Sequence, residues 1–225
     1  MSNQDIKIFP ILPEALGLFL IPRNDHIIYK DFAKKIIDQP LPEYNSTNID
    51  CSSLKHVCNQ KDQNIFKNFP QFQNLEKTLC EFTLKYINSI GFCCDEVVIT
   101  DAWLNCALAN SSQAMHLHSN SFISGTYYIN FLPDVHAPLT IVNDRLVQGT
   151  ARHPFLELPI DKSVSTPYNQ RQLKISIEES SVLLWKSHIL HGWDNNQADN
   201  RITLSFNVMP KVCSDGYAYS FSVNN

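Results

Sequence analysis

The sequence predicts a mainly β protein, two antiparallel sheets closed into a sandwich or jelly roll with helices packed along one of them. Beyond Glu96 the chain breaks into many short β-branched or aromatic runs, separated by Asn, Asp, Pro and Gly. No helical periodicity intervenes between those runs, which excludes a parallel α/β sheet. Helical spacing is confined to the first third of the chain.

Taken in order, residues 6–12 read as a first strand. Asn24 or Asp25 is placed to cap a helix running to about Asp38, with Ile28, Phe32 and Ile36 on one face. From Gln39 to Asn68 the composition turns polar and predicts a long surface loop. Phe72, Leu75, Leu79, Phe82 and Tyr86 then recur at helical spacing, and Gly91 follows as a stop. The strand runs are 97–108, 115–118, 122–132, 139–142, 173–177, 182–185, 189–193, 201–209 and 217–223. Residues 143–170 carry Pro154, Pro159 and Pro167 with little periodicity, as expected of a lid or inserted loop over a site. The whole reads as one domain, 1–225, with helical support and loop over 1–95 and a β core over 96–225.

The bulk composition narrows the class of function. With 225 residues, 44% of them hydrophobic and 18% charged, the chain can bury a substantial core. A net charge of −4 without a basic block argues against nucleic-acid binding. The apolar stretch Ala15–Ile21 is too short to span a bilayer. It lies behind Asp5, Lys7 and Glu14 without a basic leader region, so neither a membrane segment nor a secretory signal is expected. Seven cysteines at irregular spacing, two of them adjacent at 93 and 94, fit free thiols in a cytoplasmic protein better than a disulfide framework. A homodimer is left open.

The residues that carry chemistry centre on His116-Leu117-His118. Alternation along a strand sends positions i and i+2 to one face, so both imidazoles can address one metal ion. If the same phase persists, Ser124, Thr126, Tyr128 and Asn130 share that face, an inward polar stripe better suited to a wet cavity than to a core. A third imidazole must come from a distant strand. His188 and His191 lie three apart and face opposite ways, and His191 is the better placed, because Gly192 after it allows close approach. Arg201, Thr203 and Ser205 alternate with apolar Ile202, Leu204 and Phe206, which claim the other face as core. Three nitrogen ligands with open positions opposite suit an oxygen-activating iron site, and Arg201 suits a carboxylate.

These segments resemble the iron(II)/2-oxoglutarate-dependent oxygenases. The resemblance rests on Trp103-Leu104-Asn105, His116-Leu117-His118, Ser124-Gly125-Thr126-Tyr127-Tyr128, His191 and Arg201-Ile202-Thr203-Leu204-Ser205-Phe206-Asn207, in that order, and covers roughly residues 97–210. The nearest subgroup combines an H-x-H pair, an S-G-x-Y-Y strand, a distal His and an R-I-x-x-S-F-N strand. The YYIN and RITLSFN segments also resemble the prolyl-hydroxylase branch. The resemblance implies a double-stranded β-helix, with Fe(II) and 2-oxoglutarate as cofactors and molecular oxygen and an unidentified substrate as reaction partners. It makes His116 and His191 metal ligands and Arg201 the partner of the distal carboxylate of 2-oxoglutarate, assisted by Ser205 and Tyr128, with Thr203 and Asn105 beside them. His118 departs from the pattern, since most of the superfamily has Asp or Glu there. It is either the third ligand or a group behind the ligands, with water in the third place.

Other classes fit less well. A cupin also uses H-x-H, but its first motif has a Glu shortly after the second His, where this chain has Ser121, Phe122 and Ile123. A zinc hydrolase needs a general base near the metal, and no Glu follows the pair before Glu157. The alternative function is a non-catalytic jelly-roll or cupin-like module that binds a metal or small molecule in the same cavity.

Overall fold

The computed structural model describes residues 13–38, 53–58, 64–146, 158–213, 216 and 218. Two antiparallel sheets face each other. The larger orders its strands β1 (Leu16–Leu20), β8 (Ser181–Lys186), β5 (Ile123–Asn130), β10 (Arg201–Val212), β3 (Glu96–Ala107) and β2 (Leu54–Val57). The smaller runs β4 (Gln113–His116), β9 (His191–Trp193), β6 (Thr140–Val142) and β7 (Gln172–Lys174). This is the double-stranded β-helix expected from the many short strands. None of the described helices is long and apolar enough to cross a membrane.

Pleat alternation gives the large sheet two buried faces. Tyr127, Ile129, Val182, Leu184, Leu204 and Phe206 point outward into one core with Tyr29, Ala33 and Ile36 of α1 (Arg23–Asp38) and Leu75, Leu79 and Tyr86 of α3 (Gln73–Ser89). Tyr128, Leu183 and Trp185 point the other way, into a smaller cluster between the sheets with Phe131, Leu139 and Ile177. The helices therefore back the wall whose inner side lines the cavity. Gly91, with φ +90°, ends α3's run as its position suggests.

Two expectations need correction, the buried face of α1 and the polar segment, and two expected strands lie wholly or mostly outside the described residues. The first described strand is Leu16–Leu20, within the stretch read above only for its shortness, while residues 6–12 lie outside the described residues. The buried face of α1 is His26, Tyr29, Ala33 and Ile36, and Ile28 is 50% exposed. His26 turns inward because its Nδ1 meets the buried Tyr127 hydroxyl at 2.6 Å and its Nε2 lies 3.1 Å from Glu179, contacts that no apolar pattern reveals. The polar segment to Asn68 holds β2 and a short helix, α2 (Ile65–Asn68), which buries Ile65 and Phe66 under an Asn64 cap. Of the last expected strand only Ala218 is among the described residues with a partner, bridging Val212.

Candidate metal and cosubstrate site

The three imidazoles meet. His116 ends β4 and is the register partner of His191, which opens β9. His118 lies two residues past the end of β4, held where its backbone N–H donates to the Ser187 carbonyl at 2.9 Å. One ring nitrogen from each of His116, His118 and His191 lies within 4.8 Å of the others. Gly192 makes this close strand approach feasible, since a Cβ there would meet the Gln113 carbonyl at 2.7 Å.

Local hydrogen bonds set the tautomers. The Nδ1 atoms of His116 and His191 each lie 2.8 Å from a carbonyl two residues upstream, those of Ala114 and Ile189. A carbonyl only accepts, so each Nδ1 carries the proton and each Nε2 keeps its lone pair for a metal. Burial pushes the His191 pKa down to about 3, and burial with the neighbouring His116 charge pushes His118 down to about 4, so both are neutral at pH 7. Neutral imidazole is the ligating form. Trp103 stacks on His118 with ring centroids 6.1 Å apart, and Trp185 meets His191 edge-on at 4.8 Å.

His188 takes no part. It is exposed and lies 3.3 Å from Glu14. The inward polar stripe was read from the wrong premise, because β4 and β5 belong to different sheets and share no phase. Ser124, Thr126 and Tyr128 do line the cavity, but from the wall facing the imidazoles. Asn130 leaves it: its side-chain amide donates to the Asn200 carbonyl at 2.6 Å, beside a register shift between Ile202 and Thr203.

The cavity between the sheets measures about 340 Å³. Arg201 forms one end of it and is 1% exposed. Its Nε donates to the Ala137 carbonyl at 2.8 Å, and its Cζ lies 4.3 Å from the Trp193 ring centroid and 5.6 Å from that of Tyr128. Burial lowers its pKa to about 10, which still leaves a full cation at pH 7. No carboxylate pairs with it among the described residues. An uncompensated buried cation is costly, so the site is built for an anion.

Nearby donors support that reading. The Tyr128 hydroxyl and the Trp185 indole N–H line the cavity and are buried without a hydrogen-bond partner. Tyr128 approaches the Leu139 carbonyl without completing a bond, and burial raises its pKa to about 12, so it remains a donor. Buried donors normally find acceptors, and two orphans on the cavity wall, Tyr128 beside Arg201 and Trp185 beside His191, fit an oxygen-rich ligand. The donor set therefore fits 2-oxoglutarate, and the imidazole cluster fits Fe(II).

Behind these groups, the Asn105 amide donates to Ser205 Oγ at 3.0 Å and Thr203 Oγ1 at 3.3 Å, while its Oδ1 meets His56 Nδ1 at 2.6 Å. Asn105 thus ties β2, β3 and β10 together under the cavity floor. Sequence reasoning missed Trp193, Trp185 and His56. The only available signal was alternation, which puts Trp193 in phase with His191.

Residues 101–207 match the model of the family described as "Putative 2OG-Fe(II) oxygenase". That span holds the three imidazoles, Arg201 and every cavity residue named above except His56. Among solved structures, AviO1 from Streptomyces viridochromogenes Tue57 superposes with a TM-score of 0.61 at 12% identity, covering 91% of this chain and 93% of its own. The non-heme alpha ketoglutarate dependent epimerase SnoN from nogalamycin biosynthesis gives 0.61 at 10%, over 88% of this chain and 77% of its own. HygX from Streptomyces hygroscopicus, with nickel, 2-oxoglutarate and hygromycin B bound, gives 0.56 at 10%, over 88% and 83%. No curated protein matches the chain in sequence. The matched segment is thus similar to the 2OG-Fe(II) oxygenases, and the fold is one that these solved structures share.

Proposed function

We propose that the protein is an Fe(II)- and 2-oxoglutarate-dependent dioxygenase that hydroxylates an unidentified substrate, releasing succinate and CO₂. The observation that carries this reading is the buried Arg201, without a carboxylate partner among the described residues, and the orphaned donors of Tyr128 and Trp185, in one cavity with three converging imidazoles. Iron(II) with 2-oxoglutarate supplies oxygen activation coupled to decarboxylation of the keto acid. HygX binds 2-oxoglutarate with nickel, and a SnoN complex holds Fe3+ with alpha ketoglutarate, on this same fold.

The chain's own residues divide the work. His116, His118 and His191 hold the metal through their free nitrogens. Arg201 receives the distal carboxylate, with Tyr128 donating to its oxygens. Thr203, Ser205 and Asn105 fix the floor beneath it. Trp103, Trp185 and Trp193 wall off water, which strengthens the Arg201–carboxylate attraction by lowering the local dielectric. Using His118 as third ligand in place of a carboxylate leaves the metal one unit more positive, which favours a dianionic cosubstrate.

The reading extends to a single cytoplasmic domain without nucleic-acid or membrane partners, alone or as a homodimer, supported by the free state of all six cysteines among the described residues. Conversion of 2-oxoglutarate to succinate, assayed with Fe(II), ascorbate and oxygen against pools of candidate substrates, tests the function. Succinate formation that needs both metal and protein is expected. The second reading, a non-catalytic binding module, is favoured only by an imidazole standing where most of the superfamily has a carboxylate. Tight metal and 2-oxoglutarate binding with no succinate from any pool would establish it.

A further inference from the structure

Besides the imidazoles, two ionisable charges line the cavity, and they sit at opposite ends of it. In the β3–β10 register Ala107 pairs with Arg201 and Asp101 with Asn207. Six residues of strand separate the two levels, roughly 20 Å at the usual rise of about 3.3 Å per residue. The imidazoles lie toward the Asp101 end. His118 stacks on Trp103, which is two residues along from Asp101 on the same face, and His191 meets Trp185, which is paired through Ser124 to the Asn207 level. Asp101 acts on the His118 ring by charge. The order along the cavity is thus Arg201, imidazoles, Asp101. A cosubstrate reaching from the metal to Arg201 occupies one side and leaves Asp101 on the other.

The carboxylate is held in place by its neighbours. Asp101 Oδ1 accepts from the Asn207 amide at 2.8 Å and Oδ2 accepts from the Thr100 hydroxyl at 2.8 Å. Asn207 cannot turn its amide round, because its Oδ1 accepts from Ser124 at 3.0 Å and from Ser121 at 3.2 Å. Both hydroxyls also meet Ser187, at 2.9 and 2.7 Å. Two neutral donors use only part of the carboxylate's capacity of about four hydrogen bonds. No cation pairs with Asp101 among the described residues. The group is partly buried, carries a negative charge without a countercharge, and shares its strand face with the indole of Trp103. A fixed carboxylate next to an aromatic ring is a receptor for an ammonium or guanidinium group.

We propose that the substrate carries a cationic nitrogen group, an ammonium or guanidinium, received by Asp101 with Trp103 beside it, so that the carbons next to that group lie against the imidazole cluster. This rests on the dioxygenase reading for its meaning in catalysis, but the cation preference itself does not need a metal. Asp101 is the residue that sets specificity, and the Ser187–Ser121/Ser124–Asn207 chain positions it.

The test measures binding by calorimetry, with and without Zn(II) and 2-oxoglutarate, in two arms. The first compares n-butylguanidinium with its neutral isostere n-butylurea. The second compares a blocked pentapeptide with a central arginine and the same peptide with citrulline. The wild type is expected to prefer the cation at least tenfold in one arm or both, with the preference shrinking as salt rises. A larger preference in the peptide arm assigns a protein side chain, and equal preferences assign a small-molecule amine. Asp101→Asn should reduce the preference to threefold or less while 2-oxoglutarate affinity reports that the site is intact. Equal affinity for cation and isostere in both wild-type arms overturns the proposal, as does a preference that survives in Asp101→Asn. The wild-type comparison decides even if that variant fails to fold. Loss of 2-oxoglutarate binding in wild type with the cation preference intact would instead overturn the dioxygenase reading.

Discussion

The guanidinium carbon of Arg201 lies 4.3 Å from the centre of the Trp193 ring, and Arg201 Nε is given to the Ala137 carbonyl. Stacking on one face and a hydrogen bond at Nε hold the plane of the fork, which leaves its two terminal amino groups to meet a carboxylate side-on. Trp193 follows the metal-site strand residue His191 by two positions, so the two ends of the cosubstrate would be registered by one short strand, β9.

Replacing Trp193 by leucine should therefore weaken 2-oxoglutarate without touching the metal. A desolvated cation–π contact contributes about 0.5–2 kcal/mol, so affinity should fall roughly 3- to 30-fold. Calorimetry on metal-loaded protein checks this. Unchanged affinity would mean that the stacking does not orient the fork.

Removal of any one imidazole should impair metal binding. Groups that merely support ligands cost about 10–100-fold in affinity, so His116→Ala and His191→Ala should each cost at least about 100-fold. His118→Ala should do the same if His118 is a ligand, and His118→Asp should restore binding. Competition with a metal-sensitive dye reads all four variants, and a loss below about tenfold for His118→Ala would make it a group behind the ligands.

What the sequence revealed and what it hid follow from the range of the forces involved. The H-x-H pair, His191 and the Arg201–Ser205 alternation were legible because strand periodicity is local. The meeting of His118 with the other rings was expected from strand alternation, but His118 lies beyond the end of β4 and is held by its backbone bond to Ser187 instead. Tyr128 was placed in the cavity by a phase carried across two different sheets, a premise the topology removes. Helix α1 packs through Phe32 and Ile36 as expected, but His26 turns inward where Ile28 was read, because it meets Tyr127 and Glu179, residues 101 and 153 positions away. β2 was hidden in polar sequence, since only Leu54 and Val57 of its four residues are buried.

Gly125 should tolerate no side chain. A Cβ there would fall inside contact distance of the Phe206 ring, itself fully buried in the helix-side core. Overpacking of this kind costs about 1–3 kcal/mol, and about 2–4 °C of melting temperature follows each kcal/mol in a domain of this size. Gly125→Ala should melt lower by roughly 3–10 °C, as thermal unfolding will show, and a melting temperature equal to wild type would contradict the packing.

The Glu179 network predicts a pH dependence of stability. Burial raises the Glu179 pKa, but hydrogen bonds from Lys30, His26 and the Phe131 N–H outweigh it and leave the carboxyl below its ordinary 4.5. A folded pKa below the unfolded value means the unfolded state binds the proton more readily. The contribution is therefore complete above about pH 4.5 and is lost as pH falls through the folded value. Allowing for its partial exposure, Glu179→Gln should lower stability by about 1 kcal/mol at pH 7. The difference from wild type should shrink toward zero near pH 3, and denaturant unfolding at both pH values measures it. A gap that persists in acid would assign the effect to shape rather than charge.

The most direct measurement of the central claim is 2-oxoglutarate affinity, by anaerobic calorimetry, of metal-loaded wild type against Arg201→Ala and Arg201→Lys. Truncating a desolvated charge partner costs about 2–5 kcal/mol, so Arg201→Ala should bind at least roughly thirty-fold more weakly. Arg201→Lys should recover little, because an ammonium lacks the planar fork, and metal affinity should be the same in all three. Equal 2-oxoglutarate affinity in wild type and Arg201→Ala would contradict the account and move the anchor elsewhere, to a cation such as Arg145.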